Sequence, residues 1–436
     1  MKTKDIDFSL RRETLSKKLL DDSVLILASS SIKARNSDAD YAFRQDSNFY
    51  YLSGFNEPES VIIIRPSAKN RKYIIFCRDR DPLREQWDGF RAGQEGAKEL
   101  HGADEAYSIS LLDELMPDLL EGAKNIYYSM GSPNGLELRL GRWLDHIRAN
   151  KRQGSEVPEN LLSLDALLDE LRLIKSEEEL LLMKKAGDIT CEAHIRAMSN
   201  VRPGMFEYHL EAEYLHEFMK GGARFPAYNS IVGGGNNSCI LHYNENNCEL
   251  REGDLVLVDA GCEYQHYASD VTRTFPVGKK FSDEQRSIYK IVLEAHKQAC
   301  EEIRPGNPWI KAQEASVRVI TEGLIDLGLL KGKFDQIIKK GEYTKFYMHR
   351  IGHWLGMDVH DVGNYKKNGE WRDLEPGMVL TIEPGIYILD SLLDIEEKWL
   401  GIGVRVEDDL LVTEGGHEII TSKAPRSIED IESLRS

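Results

Sequence analysis

Two aspartates in one short stretch are the first residues of this chain that could do chemistry. Within residues 250–275, Asp259 closes an apolar run and Asp270 opens the return run. If Tyr264 and Gln265 form the turn of a β-hairpin, the two carboxylates face each other with Cβ atoms about 5 Å apart. At that distance and an effective dielectric of about 20, their repulsion is on the order of 3 kcal/mol. We therefore expect a cation between them, and a metal ion is the obvious candidate.

The same phrase occurs a second time in the chain. The apolar and glycine positions of residues 250–261 recur at identical spacing, with Glu383 in the place of Asp259. Each copy follows long helical segments that are broken at Arg-Pro-Gly, residues 202–204 and 304–306. This repeat predicts two related halves, each of which delivers a carboxylate at the end of an equivalent strand.

Glu407 completes the set of acids in the second copy. It follows a strand-like run, and Arg405, two residues earlier, points from the same face of that strand. Any one of these acids alone would be an ordinary strand-end residue on a solvated rim. Four carboxylates that converge through a repeat favour a binding site.

Four histidines accompany the acids. His349, His353 and His360 lie in residues 348–363, and His242 precedes the first repeat. Two glycines among them favour an irregular segment over a helix. Imidazole is a good metal ligand, and it can also donate a hydrogen bond to a carbonyl oxygen. The HExxH, GxSxG, P-loop and GxGxxG motifs are absent.

Composition bounds the class of protein. With 436 residues, of which 41% are hydrophobic, we expect two domains. The net charge of −17 argues against nucleic acid or an anionic membrane as the main partner. No signal peptide or membrane-spanning run is apparent, and six cysteines without a CxxC pair indicate reduced thiols. These features predict a cytoplasmic location.

The elements that must position the acids fall into an α/β domain over residues 1–171 and an α+β domain over residues 172–436. In the first domain we expect strands at 24–29, 61–66, 72–78 and 125–130. In the second, capping boxes at Ser176 and Ser282 begin long helices that cover a curved antiparallel sheet.

Two features of the first domain have more than one interpretation. The aromatic segment 44–55 is interpreted as a buried strand and its connection. Trp87, alone among charged residues, either faces a cleft or a neighbouring subunit or covers a local apolar patch, and the patch is favoured.

The set Asp259, Asp270, His353, Glu383 and Glu407 resembles the five-ligand, two-metal site of the pita-bread (creatinase/aminopeptidase) metallopeptidases. The resemblance extends over almost the whole chain. RQDSNFYYLSGFNEPES in the first domain is most similar to the aminopeptidase P group, as are FPAYNSIVGGGNN, HYNEN, DAGCEYQHYASDVTRTFPV and HWLGMDVHDVG in the second. The chain departs from the family where His349 is followed by Arg-Ile-Gly instead of Gly-Leu-Ser or Gly-Leu-Gly, and in the segment before Gly401.

The resemblance implies an α+β pita-bread domain with an internal pseudo-twofold repeat, and two divalent ions, most simply Mn²⁺ with Co²⁺ or Zn²⁺ as substitutes. Asp270 and Glu407 would bind both metals, Asp259 one and His353 the other, with Glu383 bridging or adjacent. A hydroxide between the metals would then hydrolyse the bond between an N-terminal residue and proline.

The resemblance also implies roles around the reacting bond. Glu383 would relay a proton to the leaving nitrogen, and His242 and His360 would donate hydrogen bonds to the substrate carbonyl. His349 and Arg405 would orient the residues on the leaving side. Arg405 could instead only anchor a metal-bound carboxylate, and both interpretations stay open.

A pocket of Tyr228, His242 and His349 would accept the proline ring on the same resemblance. The implied partners are peptides with N-terminal Xaa-Pro, and the implied assembly is a homodimer or homotetramer. Prolidase, an Xaa-Pro dipeptidase, is the alternative enzyme. A metal-free binding protein of the same fold is the alternative outside enzymes.

Overall fold

The computed structural model describes residues 6–132 and 134–435. The chain divides into two compact units, Met1–Leu171 and Arg172–Ser436, and the division falls within the helix Asp165–Leu173. Among the described residues, no helix combines the length and the apolar character that a bilayer span needs.

A six-stranded mixed sheet forms the centre of the first unit. Its strands are β1 (Ser23–Ala28), β2 (Val61–Ile64), β3 (Tyr73–Cys77), β4 (Glu105–Ser108), β5 (Asn125–Tyr128) and β6 (Asn160–Ser163). The order is β4-β3-β2-β1-β5-β6, in which β2 is antiparallel to β1 and β3 and the remaining neighbours are parallel. All four predicted strands are present, and β4 and β6, which are less apolar, were not predicted.

Seven helices belong to this part of the described chain: α1 (Phe8–Ser16), α2 (Ser47–Ser53), α3 (Pro82–Asp88), α4 (Gly93–His101), α5 (Leu112–Leu120), α6 (Glu137–Ala149) and α7 (Asp165–Leu173). The prediction of a buried strand in residues 44–55 is wrong, because that segment contains α2. Asp46 caps this helix by accepting from Phe49 N at 2.9 Å, and Gly54 ends it at φ 61°.

Trp87 lies on α3 and is 85% exposed, so the interpretation that it covers an apolar patch is wrong. Leu83, one helical turn earlier, and Phe90, three residues later, are also exposed.

The second unit contains helices α8 (Glu177–Asn200), α9 (Glu207–Lys220), α10 (Asp283–Glu301), α11 (Ile310–Asp326), α12 (Phe334–Lys340) and α13 (Ile428–Ser433). Its strands are β7 (Phe225–Pro226), β8 (Ile231–Gly234), β9 (Leu255–Asp259), β10 (Cys262–Tyr264), β11 (Tyr267–Ala268), β12 (Thr272–Pro276), β13 (Lys366–Lys367), β14 (Glu370–Trp371), β15 (Val379–Ile382), β16 (Gly385–Ile388), β17 (Ile402–Arg405), β18 (Asp408–Thr413) and β19 (Gly416–Ile419).

The internal repeat is visible in this unit. The helix pair α8–α9 precedes the sheet β12-β9-β8, and the pair α10–α11 precedes the sheet β15-β18-β19. All strand pairs of the unit are antiparallel among the described residues. Both predicted capping boxes are formed, at Ser176 and Ser282. The helices bury their apolar faces in a core shared with the strands, which includes Tyr214 of α9, Ile288 of α10 and Val258 of β9.

Candidate metal centre

One cavity of about 530 Å³ in the second unit collects the predicted site residues. All ten of them line it: Tyr228, His242, Asp259, Asp270, His349, His353, His360, Glu383, Arg405 and Glu407. They come from both copies of the repeat, so the fold brings the two carboxylate-bearing halves to one place.

The register of the first hairpin differs from the prediction. Asp259 lies opposite Thr272, not opposite Asp270. The turn falls on Gln265 and His266, whose φ angles of 48° and 69° are both positive, as a tight two-residue hairpin turn requires. The pairing is therefore shifted by two residues. Because an even shift preserves the face of a strand, Asp270 remains on the same side as Asp259.

The acids crowd around His353. Its Nε2 lies 3.3 Å from Oδ2 of Asp270 and 3.6 Å from Oε1 of Glu383. One ligand atom each from Asp270, His353 and Glu407 lie within 4.8 Å of one another. These distances place three candidate ligands around a single point, with Glu383 at its edge.

Asp259 is held by side chains on either side of it. The hydroxyl of Tyr228 contacts its Oδ1, and Arg405 donates from Nη2 to its Oδ2 at 2.6 Å. Arg405 also donates from Nε to Thr272 Oγ1 and from Nη1 to Tyr387 Oη, both at 3.0 Å. Arg405 thus anchors a candidate ligand carboxylate.

The histidine-bearing segment lies against β15 and is irregular, as predicted. Thr381 N donates to the carbonyl of His353 at 2.9 Å, and a Cβ at Gly352 would lie 1.9 Å from the carbonyl oxygen of Thr381. Glycine is needed for this close approach. His353 Nδ1 donates to the carbonyl of Trp354 at 3.0 Å, which directs Nε2 towards the acids.

Burial and mutual repulsion make it costly for the carboxyl groups of the site to ionise. Burial and the charge of Asp270 raise the pKa of Asp259 to about 6, and burial raises the pKa of Glu383 to about 7. Burial and Asp270 raise the pKa of Glu407 well above its usual range. Burial also acts to raise the pKa of Asp270, but its hydrogen bond with His353 makes the net shift downward. For His353, burial acts to lower the pKa, yet Asp270 and Glu383 raise it to about 9.

The contacts of the Tyr228 hydroxyl also indicate too little positive charge among the side chains of the site. This hydroxyl contacts Oδ1 of both Asp259 and Asp270, although it has one proton to donate. When both carboxylates are ionised, one of these two contacts therefore brings two oxygen atoms together with no hydrogen between them, which is repulsive. Bound divalent cations would relieve this repulsion, and four carboxylates with one imidazole are a suitable donor set for them. The residues present fit a metal centre.

Two further side chains were missed by the sequence reasoning. Thr272 donates from Oγ1 to Oε2 of Glu407 at 2.6 Å. Tyr387 Oη lies 2.8 Å from His349 Nε2 and also accepts from Arg405. The strand period of two was a usable signal, because Thr272 is two residues after Asp270 on the same face.

Comparisons with known proteins agree with this geometry. Residues 181–414 match the model of metallopeptidase family M24, and residues 8–127 match the aminopeptidase P N-terminal domain. The chain is 47% identical over 428 residues to the Xaa-Pro aminopeptidase of Haemophilus influenzae, covering 98% of this chain and 96% of that one.

Solved structures give the same result. The aminopeptidase PepP of Pseudomonas aeruginosa superimposes with a TM-score of 0.97 at 50% identity, covering 98% of this chain and 97% of that one. Zinc-substituted Escherichia coli aminopeptidase P in complex with product superimposes with a TM-score of 0.95 at 43% identity and the same coverage.

The two-domain fold and the buried acid cluster define a metal-dependent hydrolase of the pita-bread type. The chain belongs to metallopeptidase family M24, and its N-terminal unit carries the domain typical of aminopeptidase P.

Proposed function

We propose that the chain is an Xaa-Pro aminopeptidase, which removes the N-terminal residue from peptides whose second residue is proline. The observation that carries the proposal is the cluster of buried acids around His353 inside a cavity large enough for a peptide end. The full-length similarity to Xaa-Pro aminopeptidases supports the choice of substrate.

We also propose two divalent ions, with Mn²⁺ favoured by the oxygen-rich donor set and Co²⁺ or Zn²⁺ as substitutes. Asp259, Asp270, His353, Glu383 and Glu407 would hold them. When bound, the ions would neutralise the acids and make a hydroxide available at neutral pH.

Glu383 is proposed to take the proton of the attacking water and deliver it to the proline nitrogen. It lies at the cavity wall, 3.6 Å from His353 Nε2 and 4.0 Å from His349 Nδ1. His242 and His360 face the same cavity, where they would donate hydrogen bonds to the substrate carbonyl.

His349 is suited to a neutral role on the leaving side. Burial and the charge of Arg405 lower its pKa to about 4, so the imidazole is uncharged at pH 7. Its Nδ1 donates to the carbonyl of Arg350 at 2.8 Å, and its Nε2 accepts from Tyr387. A rigid neutral ring here, with Tyr228 and His242, would accept the apolar proline ring. The tertiary amide of Xaa-Pro has no N–H that the site would need to satisfy.

The proposal extends to the setting of the enzyme. Six unpaired cysteines, five of them buried, support a cytoplasmic location. A homodimer or homotetramer is proposed from the family resemblance.

The deciding experiment compares Xaa-Pro dipeptides with Xaa-Pro-Yaa tripeptides, side by side, with added Mn²⁺. Cleavage of the tripeptides between Xaa and proline supports the aminopeptidase. Cleavage of dipeptides alone would identify a prolidase. If neither substrate is hydrolysed, the remaining hypothesis is a metal-free binding protein of the same fold.

A further inference from the structure

We infer that Arg350 is a specificity-determining residue, which binds a carboxylate on the substrate residue that follows proline. The inference rests on the proposed function and adds a substrate preference to it. The carboxylate has two sources, the C-terminus of a tripeptide or the side chain of aspartate or glutamate at that position.

Two arginines line the cavity, and one of them is already engaged. Arg405 is 3% exposed, and its Nε, Nη1 and Nη2 atoms donate to Thr272, Tyr387 and Asp259 respectively. Its charge is opposed by Asp259, and each of its three nitrogen atoms already donates one hydrogen bond within the protein. The buried arginine of the strand is therefore unsuited to recognise a peptide carboxylate.

Arg350 differs in each of these respects. Its side chain is exposed where it lines the cavity, and no carboxylate of residues 6–132 and 134–435 lies within ion-pair distance of its guanidinium. Its guanidinium carbon lies 5.7 Å from the ring centroid of Trp371. A cation–π contact of this kind steadies the side chain but leaves its N–H edge free to donate.

The neighbourhood adds to the positive charge. Lys366 Nζ lies 4.7 Å from the centroid of the same Trp371 ring, so two cations share one aromatic side chain. Two like charges around a ring repel each other, and an anion between or beside them lowers that repulsion. The pair is thus electrostatically suited to a carboxylate.

The place of Arg350 in the chain gives the position of that carboxylate. It directly follows His349, and its own carbonyl accepts the Nδ1 proton of His349. His349 is the residue proposed for the leaving side of the scissile bond. A substrate that continues beyond proline would therefore pass the Arg350 guanidinium.

The test uses two matched pairs of substrates that differ in one charge. The first pair is Xaa-Pro-Ala as free acid and as amide. The second is Xaa-Pro-Glu amide and Xaa-Pro-Gln amide. The kcat/KM ratio within each pair is measured at low and high salt, with Mn²⁺, for the wild type, Arg350→Gln, Arg350→Lys and the exposed control Arg318→Gln on α11.

We expect the wild type to favour the charged member of at least one pair by about threefold to tenfold, because an exposed ion pair is weak and salt-screened. Arg350→Gln should bring that ratio close to one, mainly through KM, and Arg350→Lys should retain part of it. Arg318→Gln should keep the wild-type ratio. The pair that responds identifies the source of the carboxylate.

An unchanged ratio in Arg350→Gln, or a wild type indifferent to charge in both pairs, would overturn the inference while the proposed function stands. If the wild type cleaves none of the four peptides, the proposed function itself fails. Circular dichroism and metal content of each variant separate these outcomes from misfolding.

Discussion

Arg405 donates from Nη2 to Oδ2 of Asp259 at 2.6 Å, so a strand of the second repeat holds a carboxylate of the first. The two copies are therefore joined at the cavity by a charged hydrogen bond between nearly buried groups. Truncation of one partner of such a pair leaves the other uncompensated. The acid cluster should consequently behave as one unit.

Chelation should abolish activity, and a divalent ion should restore it, because the buried acids need cations to coexist. Asp270→Asn removes one charge from the group around His353 and should bind less than the full metal complement. Elemental analysis of the purified variant, beside the exposed-residue control Asp335→Asn, measures this. A fully loaded and fully active Asp270→Asn would contradict the metal-site interpretation.

Glu383→Gln keeps the shape of the side chain but removes the base. We expect kcat to fall by at least about a hundredfold. Steady-state kinetics with metal content measured on the same sample checks this, and Glu370→Gln on the exposed β13–β14 hairpin is the control. An unchanged turnover with metal bound would remove Glu383 from proton transfer.

Glu207 should organise the segment that carries His242. It is fully buried, and its carboxylate accepts from four donors: Gly234 N, Asn237 Nδ2, Tyr243 Oη and Cys248 N, at 2.8–2.9 Å. An amide at this position turns an acceptor into a donor that faces other donors. Glu207→Gln should lower the free energy of unfolding by about 2 kcal/mol or more and should lower kcat/KM.

Urea unfolding and kinetics at pH 7 measure both effects. The control Glu245→Gln changes an exposed acid of the same segment and should be near neutral. Equal stability and activity in Glu207→Gln and Glu245→Gln would show that Glu207 does not position this segment.

His194 should make the protein less stable in acid. Its Nε2 donates to Val271 O at 3.0 Å, its Nδ1 accepts from Tyr214, and burial lowers its pKa to about 3. In the unfolded chain the imidazole of His194 binds a proton near pH 6.5, whereas in the folded chain it stays neutral until about pH 3. Stability is therefore full above about pH 6.5 and falls as the pH drops towards 3, by up to about 1.4 kcal/mol per pH unit.

The measurement is the free energy of unfolding in urea at pH 7, 6 and 5. His194→Gln should show a shallower pH dependence than the wild type, and the exposed control His216→Gln should not. If the slopes of His194→Gln and the wild type coincide, His194 is not the group that titrates.

Much of the site was predictable because strand-end acids, their repeat and glycine-flanked histidines leave a pattern in the sequence. All ten predicted residues line one cavity. Their individual roles, and the domain limits assigned from the sequence, stay predictions. The predicted register of the first hairpin was wrong for a specific reason. Gln265 and His266 adopt positive φ although neither is a glycine or asparagine, the residues that usually mark such a turn in a sequence.

Helix α2 was missed for a different reason. Its capping signals, Asp46 and Gly54, are in the sequence, but its aromatic residues have high strand propensity, and tertiary burial decided the outcome. The engagement of Arg405 and the exposure of Arg350 could not be predicted, because both depend on which distant side chains lie alongside.

The length of the peptide substrate separates aminopeptidase P from prolidase. A dipeptidase must bind the free carboxylate of proline with a cation next to the ring, and the site must close there. Arg405 is the nearest cation, but it is committed to Asp259. Arg350 is exposed at the cavity wall, where a longer chain could pass. We expect Xaa-Pro-Yaa peptides to be cleaved at the Xaa-Pro bond with higher kcat/KM than Xaa-Pro dipeptides.

A blocked N-terminal amine should abolish that cleavage, because a free amine would contact the acids of the site and so hold the scissile bond at the reacting end. Mass spectrometry of products from free and acetylated Xaa-Pro-Yaa peptides, with Xaa-Ala-Yaa as the control for proline selectivity, measures both points. Hydrolysis of Xaa-Pro dipeptides with Xaa-Pro-Yaa left intact would reverse the assignment to prolidase. Equal cleavage of acetylated and free peptides would rule out an exopeptidase, because the enzyme would then cleave the Xaa-Pro bond without needing a free N-terminal amine.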